Sequence, residues 1–460
     1  MFVLAYMKQK PGFYRQVVAL AAPIVLQNLI TSTLSMADTF MVGILGEAPM
    51  AAVTLANIPL FVVQLFIFGV QSGSSVLISQ YWGKQDMEAI NRVMGVAIWV
   101  VLLVSSIFAG ILLICPVQFL SLFGNQPEVV ELAAQYGSIA GISYVLNAFT
   151  MMYVAAYRSM ERPQLGMYIL AASMTVNTCL NWVFIFGNLG APAMGVRGAA
   201  LATLIARGLE VTIVVSHMVR NRFFRIRGRL LLQPGMPMLK RFLRYGGLVV
   251  CNETMWGLGT SIFPTIMGHM EGSTEILAAY TLAGNVEKIC TVFSFGLAST
   301  AAIIIGREIG AGRTAHIKNV GLAMNTLAVV CGGLICAFLV FFAREVAPIW
   351  VFPLFKLSPG ASSVAAMMIT VMGLLMPLRN FNSVNIIGVL RGGGDVRVAT
   401  LIDVSPLWVC AIPYAILCGV VLRTSVFWVY LAFGVEQVVK FTLGVWRLRS
   451  GKWVRDLTQG

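Results

Sequence analysis

The chain has 460 residues, of which 58% are hydrophobic and only 11% charged, and it carries a formal charge of +14 with a mean hydropathy of +0.85. Soluble domains carry about 25% charged residues, so the composition excludes an ordinary soluble protein and indicates a polytopic membrane protein. Eight cysteines lie in or at the ends of apolar runs, none in a C-x-x-C pair, and the three histidines are scattered, which points away from a disulfide framework or a zinc site.

Twelve apolar segments follow one another: 13–43, 49–79, 91–116, 130–157, 165–187, 197–219, 239–269, 275–305, 316–343, 361–390, 395–420 and 424–447. Each meets the ~20 residues a helix needs to cross about 30 Å of hydrocarbon, and the longest should tilt or protrude. The first follows Lys8, Lys10 and Arg15 and is too long for the core of a cleavable signal, so it is expected to be retained as a span. Pro23, Pro59, Pro264, Pro377 and Pro413 fall inside runs and predict kinks.

With the N-terminus placed in the cytoplasm, the loops on that side hold 24 of the 32 basic residues, eight of them between Arg220 and Arg244, while the opposite loops hold Arg197, Arg344, Lys356 and Arg423. That asymmetry is the positive-inside pattern, and it works only with twelve spans and both ends inside. The basic surplus is therefore topological, with anionic lipid headgroups of the bilayer as its partner, and not a nucleic-acid footprint.

The chain also repeats. A shift of 227 residues lays Ala51-Ala52 and Thr54-Leu55-Ala56 on Ala278-Ala279 and Thr281-Leu282-Ala283, Phe68-Gly69 on Phe295-Gly296, and Gly83 on Gly310. Beyond the ninth segment the shift becomes 233, which lays Asn147 on Asn380 and Arg158 on Arg391. The expectation is an all-α polytopic protein with a six-helix lobe at 1–219, a basic linker at 220–238 and a second six-helix lobe at 239–460. Repeats of like orientation are related by a pseudo-two-fold axis along the membrane normal and suit alternating access.

At the level of motifs, the chain resembles the multidrug and toxic compound extrusion family from end to end. The matching stretches are Pro23 followed by Asp38-Thr39-x-Met41-Val42-Gly43, Gln80-Tyr81-x-Gly83, Asn252-Glu253-x-x-Trp256-Gly257-x-Gly259, Ile305-Gly306-x-Glu308-Ile309-Gly310-Ala311-Gly312, Leu390-Arg391-Gly392-Gly393-Gly394-Asp395, and Asp403 with Trp408 and Pro413. The resemblance implies export of organic, often cationic small molecules, driven by Na⁺ or H⁺, by a monomer with two lobes around a central cavity. It implies no cofactor beyond the coupling ion.

A carboxylate in a span costs roughly 2.5–3.5 kcal/mol near the bilayer centre, so Asp38 must face protein or water, and a functional site is the default reading. It matches the acid of the family's first helix, whose cation site also draws on the fifth helix. Asn177 and Asn181 there are four apart and share a helix face; Thr203 on the sixth is a further candidate. Many relatives have a second carboxylate at the position of Asn181. One Asp with amide oxygens would suit Na⁺; a lone Asp in a dry pocket would instead be neutralised by a proton. The competing reading is an inter-helix hydrogen-bond cluster. In the second lobe the candidates for a cation or substrate site are Glu253, Asn285, Asp403, Arg379 and Asn380. The acid that some relatives carry on the tenth helix is missing, and Glu253 or Asp403 could equally neutralise Lys288 or Arg379. Arg207 and Glu210 read as a local pair. Met36, Met151, Met152, Met255, Met376 and Phe61 could line an adaptable cavity, although ordinary packing accounts for most methionines. The fold position 227 residues beyond Asp38 is Thr265, so the second lobe has no copy of that acid.

These readings converge on a cation-coupled exporter of the cytoplasmic membrane. A flippase for lipid-linked precursors would need Arg207, Lys288 and Arg379 facing the centre. An intramembrane enzyme would need a nucleophile–base or metal constellation at membrane depth, and none is visible in the sequence.

Overall fold

The computed structural model describes residues 12–124, 126–221, 223–355 and 357–459, without the side chains of Ser35, Met36, Thr39 and Glu47. Lys8, Lys10, Arg222 and Lys356 of the expected loops, and Met36 of the expected cavity lining, therefore lie outside the described residues.

Twelve long helices follow in order: α1 Phe13–Gly43, α2 Glu47–Gly83, α3 Met87–Ile114, α4 Pro127–Ser159, α5 Gln164–Phe186, α6 Val196–Arg220 and α7 Met236–Gly268. They continue with α8 Ser273–Gly310, α9 Ile317–Leu354, α10 Pro359–Arg391, α11 Val396–Val421 and α12 Val426–Ser450. Each expected segment falls on one helix. Among the described residues, eleven are long and apolar enough to cross a membrane. The remaining one, α7, is long enough, but Asn252, Glu253 and its threonines dilute its apolar stretch.

The repeat is written into the backbone at helix ends. At the end of α2, Lys84 N donates to Gln80 O, Gln85 N to Trp82 O and Asp86 N to Tyr81 O; at the end of α8, shifted by 227, Ala311 N donates to Arg307 O, Gly312 N to Ile309 O and Arg313 N to Glu308 O. The left-handed residue closing each turn is Gln85 (φ 59°) in one copy and Gly312 (φ 73°) in the other. With the 233-residue shift, the turn after α4 (Met160 N to Ala156 O, Glu161 N to Arg158 O, Arg162 N to Tyr157 O) recurs after α10 (Gly393 N to Val389 O, Gly394 N to Arg391 O, Asp395 N to Leu390 O). Both are left-handed helix terminations in which the carbonyls of the last turn find donors.

The prolines fall in two settings. Pro23, Pro59, Pro264 and Pro377 lie inside regular helices. Of the four wide turns with i→i+5 spacing among the described residues, one contains Pro348 in α9 and one begins at Pro406 in α11, with Pro413 opening the regular turn that follows the latter; those at Val384–Arg391 and Leu417–Val421 contain no proline. A proline lacks the N–H that closes a regular turn, and widening the turn lets later amides take the orphaned carbonyls.

The helices sort into two compact units, Leu26–Val250 and Met1–Val25 with Cys251–Gly460. The sequence divides the chain at 220–238; the structure divides it within α1 and α7. In the first unit, Ala52, Leu60, Leu112, Ala133 and Ala140 form a core of α2, α3 and α4. A Cβ on Gly73 would lie 2.6 Å from Gly246 Cα; this bare approach holds the first half of α7 to α2. In the second unit, Phe263, Leu282, Met368, Met372, Leu407 and Val429 join α7, α8, α10, α11 and α12. Val17, Leu20 and Ile24 of α1 pack there on Leu297, Ala301 and Met324. Apolar edges and glycine contacts, not the charged linker, thus decide the boundary. The second unit closes with a tail: Trp453 is fully buried and Arg455 N donates to Gly393 O at 2.7 Å.

Candidate functional sites within the two units

In the first unit the four candidates of the N-terminal half come together as one chain of hydrogen bonds. Asp38 stands five residues before the end of α1. Asn177 and Asn181 sit one turn apart on α5, and Thr203 lies on the facing side of α6. Asn181 Nδ2 donates to Asp38 Oδ1 at 2.6 Å and to Asn177 Oδ1 at 3.1 Å. Asn177 Nδ2 donates to Thr203 Oγ1 at 3.2 Å, and Thr203 Oγ1 in turn donates to the Ala199 carbonyl at 3.0 Å. Both asparagines are 1% exposed. Asn181 Oδ1 is buried and finds no hydrogen-bond donor among the described residues. A buried amide oxygen left open beside a carboxylate is a ready ligand for a hard cation.

The neighbourhood extends to α4 and α6. The Tyr136 and Tyr144 side chains and the Arg207 guanidinium are close enough to Asp38 to interact with it electrostatically. Arg207 pairs with Glu210 at 2.7 Å, as expected, and Glu210 is fully buried. Asp38, Arg207 and Glu210 together leave one net negative charge in this part of the unit.

In the second unit the candidates separate into three groups. Glu253 and Asp403 belong to an ionic row in which charges alternate. Arg391 donates to Glu253 at 2.8 Å and lies 3.5 Å from Asp403; Lys440 bridges Asp403 and Glu436, each at 2.7 Å. Asn252 Nδ2 adds a bond to Asp403 at 2.8 Å. All six side chains are at least four-fifths buried. The partners of Glu253 and Asp403 are therefore Arg391 and Lys440, not Lys288 or Arg379. Arg391, grouped in the sequence with the exposed cytoplasmic basics, is 0% exposed. Burying a charge is tolerable only with such pairing, and removing one partner of a buried pair costs about 3–5 kcal/mol.

Arg379 forms a separate pair with Glu287 of α8. Asn380 accepts from the Ser294 hydroxyl. Asn285 is half-buried and makes no side-chain hydrogen bond among the described residues. Glu253, Asn285, Asp403, Arg379 and Asn380 thus do not form one site. Sequence reasoning missed Glu436, Lys440 and Glu287. The available signal was the spacing of Glu436 and Lys440, four apart inside an apolar run, which is the spacing of a helical ion pair.

A family model, MatE, matches residues 23–183 and 247–417. The chain is 23% identical over 459 residues to a probable multidrug resistance protein NorM of Thermotoga maritima, covering 97% of this chain and 94% of that one. It is 25% identical over 451 residues to the uncharacterized transporter YisQ of Bacillus subtilis, with 95% and 94% covered. Among solved structures it is similar to a MOP superfamily transporter of Pyrococcus furiosus (20% identical, TM-score 0.83, 97% and 98% covered) and to the eukaryotic MATE transporter AtDTX14 (16% identical, TM-score 0.84, 97% of each chain covered). Two family matches, one on each repeat, together span most of the chain: the protein belongs to the MatE family of multi-pass membrane transporters.

Proposed function

We propose that the protein is a secondary active antiporter of the cytoplasmic membrane that exports organic compounds, those with a positive charge among them, in exchange for Na⁺ or H⁺. It acts as a monomer by alternating access, with both termini on the cytoplasmic side. The observation that supports this reading is the hydrogen-bonded chain Asp38–Asn181–Asn177–Thr203, whose two asparagines are buried, with its open Asn181 Oδ1. It offers a carboxylate and neutral oxygens to one monovalent cation, and the carboxylate alone to a proton. In Na⁺ coupling, Asp38 supplies the compensating charge while Asn181 and Thr203 supply neutral oxygens. In H⁺ coupling, Asp38 itself takes the proton. Either event removes the hydration demand of a carboxylate within a span, which lets the end of α1 repack and release the exported compound outward. Loss of the cation to the cytoplasm restores the charge.

The row Glu253–Arg391–Asp403–Lys440–Glu436 supports a different role for the second unit. Its carboxylates are already held by tethered cations, so the coupling ion acts in the first unit. A flippase for pyrophosphate-bearing lipids is disfavoured because two of its three candidate cations, Arg207 and Arg379, already hold carboxylates, which leaves Lys288 alone for the pyrophosphate. The test is dye efflux in reconstituted vesicles with Na⁺ and pH gradients imposed separately. The expected outcome is that one gradient drives transport and that Asp38→Asn lowers driven efflux about tenfold or more; undiminished efflux in that variant would sink the assignment.

A further inference from the structure

Four of the basic residues stand deep inside spans: Arg207, Lys288, Arg379 and Lys440. Arg207 holds Glu210, Arg379 holds Glu287, and Lys440 holds Asp403 and Glu436. Lys288 differs from the other three. Its side chain is exposed, and it makes no side-chain hydrogen bond or ion pair among the described residues. Glu287, its neighbour in the chain, points to Arg379 instead.

Position along the helix argues against a headgroup contact. Along α8, Lys288 lies about 20 Å from Glu275 toward one end and about 28 Å from Arg307 toward the other, at ~1.5 Å per residue. The hydrocarbon is about 30 Å thick. With the excess shared between the ends, Lys288 sits on the order of 10 Å inside the nearer surface, beyond the reach of a four-carbon stem. An ammonium at that depth needs water or an anion beside it.

Its surroundings on α8 are polar. Thr281 and Lys288 are exposed and Asn285 is half-buried; the three are spaced i, i+4, i+7 and share one face. The half-buried Arg379–Glu287 pair adjoins it. The position that the repeat aligns with Lys288 is Phe61, 59% exposed. Where the first unit presents an aromatic ring, the second presents a cation.

We propose that Lys288 is a specificity-determining residue of the exporter, and that it receives the carboxylate of amphoteric substrates, compounds carrying one carboxylate and one amine or other cation. Asn285 donates a hydrogen bond to the same carboxylate, while the Thr281 hydroxyl stays on the Leu277 carbonyl and Glu287 stays paired with Arg379. The single free charge fits a carboxylate. A phosphate or pyrophosphate carries more charge than one ammonium balances. This inference rests on the exporter reading above for its transport arm alone.

The test uses one rhodamine in two forms, the free carboxylate and its ethyl ester, which share a chromophore and a cation and differ by one negative charge. Binding to the purified full chain is read by fluorescence anisotropy, and efflux is read in vesicles. Lys288→Gln is expected to weaken binding of the acid about tenfold or more, with the ester unchanged, and Lys288→Arg to keep the preference. Equal losses for both dyes, or no change for either, would overturn the proposal. So would displacement of the acid from the wild type by phosphatidylglycerol with no such displacement in Lys288→Gln, since a lipid phosphate would then be the occupant. A wild type that binds the acid through Lys288 but moves neither dye fails the exporter reading and leaves the carboxylate site standing.

Discussion

Single residues divide into those that complete a pair and those left open. Asn181 does both, since its amide nitrogen serves Asp38 and its oxygen is unserved. Asn181→Leu keeps much of the volume and removes both functions. It is expected to lower ion-driven efflux several-fold while leaving thermal stability within a few degrees, as scanning fluorimetry in detergent would show. Arg391 is the opposite case: it neutralises Glu253 and approaches Asp403. Arg391→Met alone leaves Glu253 buried without its partner and is expected to cost about 3–5 kcal/mol. Adding Glu253→Leu should recover much of the loss, because an apolar pair of similar volume often replaces a buried ion pair at little cost. The melting temperatures of the two singles and the double give the coupling directly.

Among the elements, the helix ends carry most of the information. The same termination closes α2 and α8, but the first copy forces a side chain into the left-handed region at Gln85 (φ 59°), where the second uses Gly312. Gln85 is exposed and bonded only to Trp82 O through its side chain. Gln85→Gly should therefore stabilise, by about 1 kcal/mol at most. Gly394→Ala should destabilise, since its Cβ would meet Arg455 O at 2.3 Å. A melting comparison of the two variants decides both signs. The tail beyond α12 depends on the same turn. Trp453→Ala empties a fully buried position and is expected to cost about 3–5 kcal/mol, seen as earlier proteolysis of the C-terminus.

On the scale of the whole molecule, the two units share helix lengths and terminations but not charge. The first keeps one carboxylate in a hydrogen-bonded chain with an open oxygen. The second ties its carboxylates to Arg391, Lys440 and Arg379. The expected consequence is a separation of phenotypes. Glu253→Gln should lower the melting temperature and leave the ion dependence of efflux unchanged, whereas Asp38→Asn should abolish the ion dependence with little thermal effect. Vesicle efflux under each gradient, measured beside the melting curves, checks this; an altered ion dependence in Glu253→Gln would place coupling in the second unit as well.

The sequence by itself determined the twelve spans, their repeat and the company of Asp38. Span length, apolar runs and four-residue spacing are local quantities, fixed by the bilayer and the helical period. Asn177 and Asn181 were legible together because one turn of α5 separates them. The family match was legible from motifs in order. Only the tertiary structure decided which charges meet. Arg391 lies far from Glu253 in the chain, and Lys440 far from Asp403, and an ion pair leaves no periodic trace when its partners come from different helices. For the same reason the sequence could not show that α1 and α7 are shared between the units, because that depends on Gly73 meeting Gly246 and on Val17, Leu20 and Ile24 finding an apolar surface. Nor could it show that three of the four deep basic residues are spoken for. Lys288 stands out only once the partners of Arg207, Arg379 and Lys440 have been located in space.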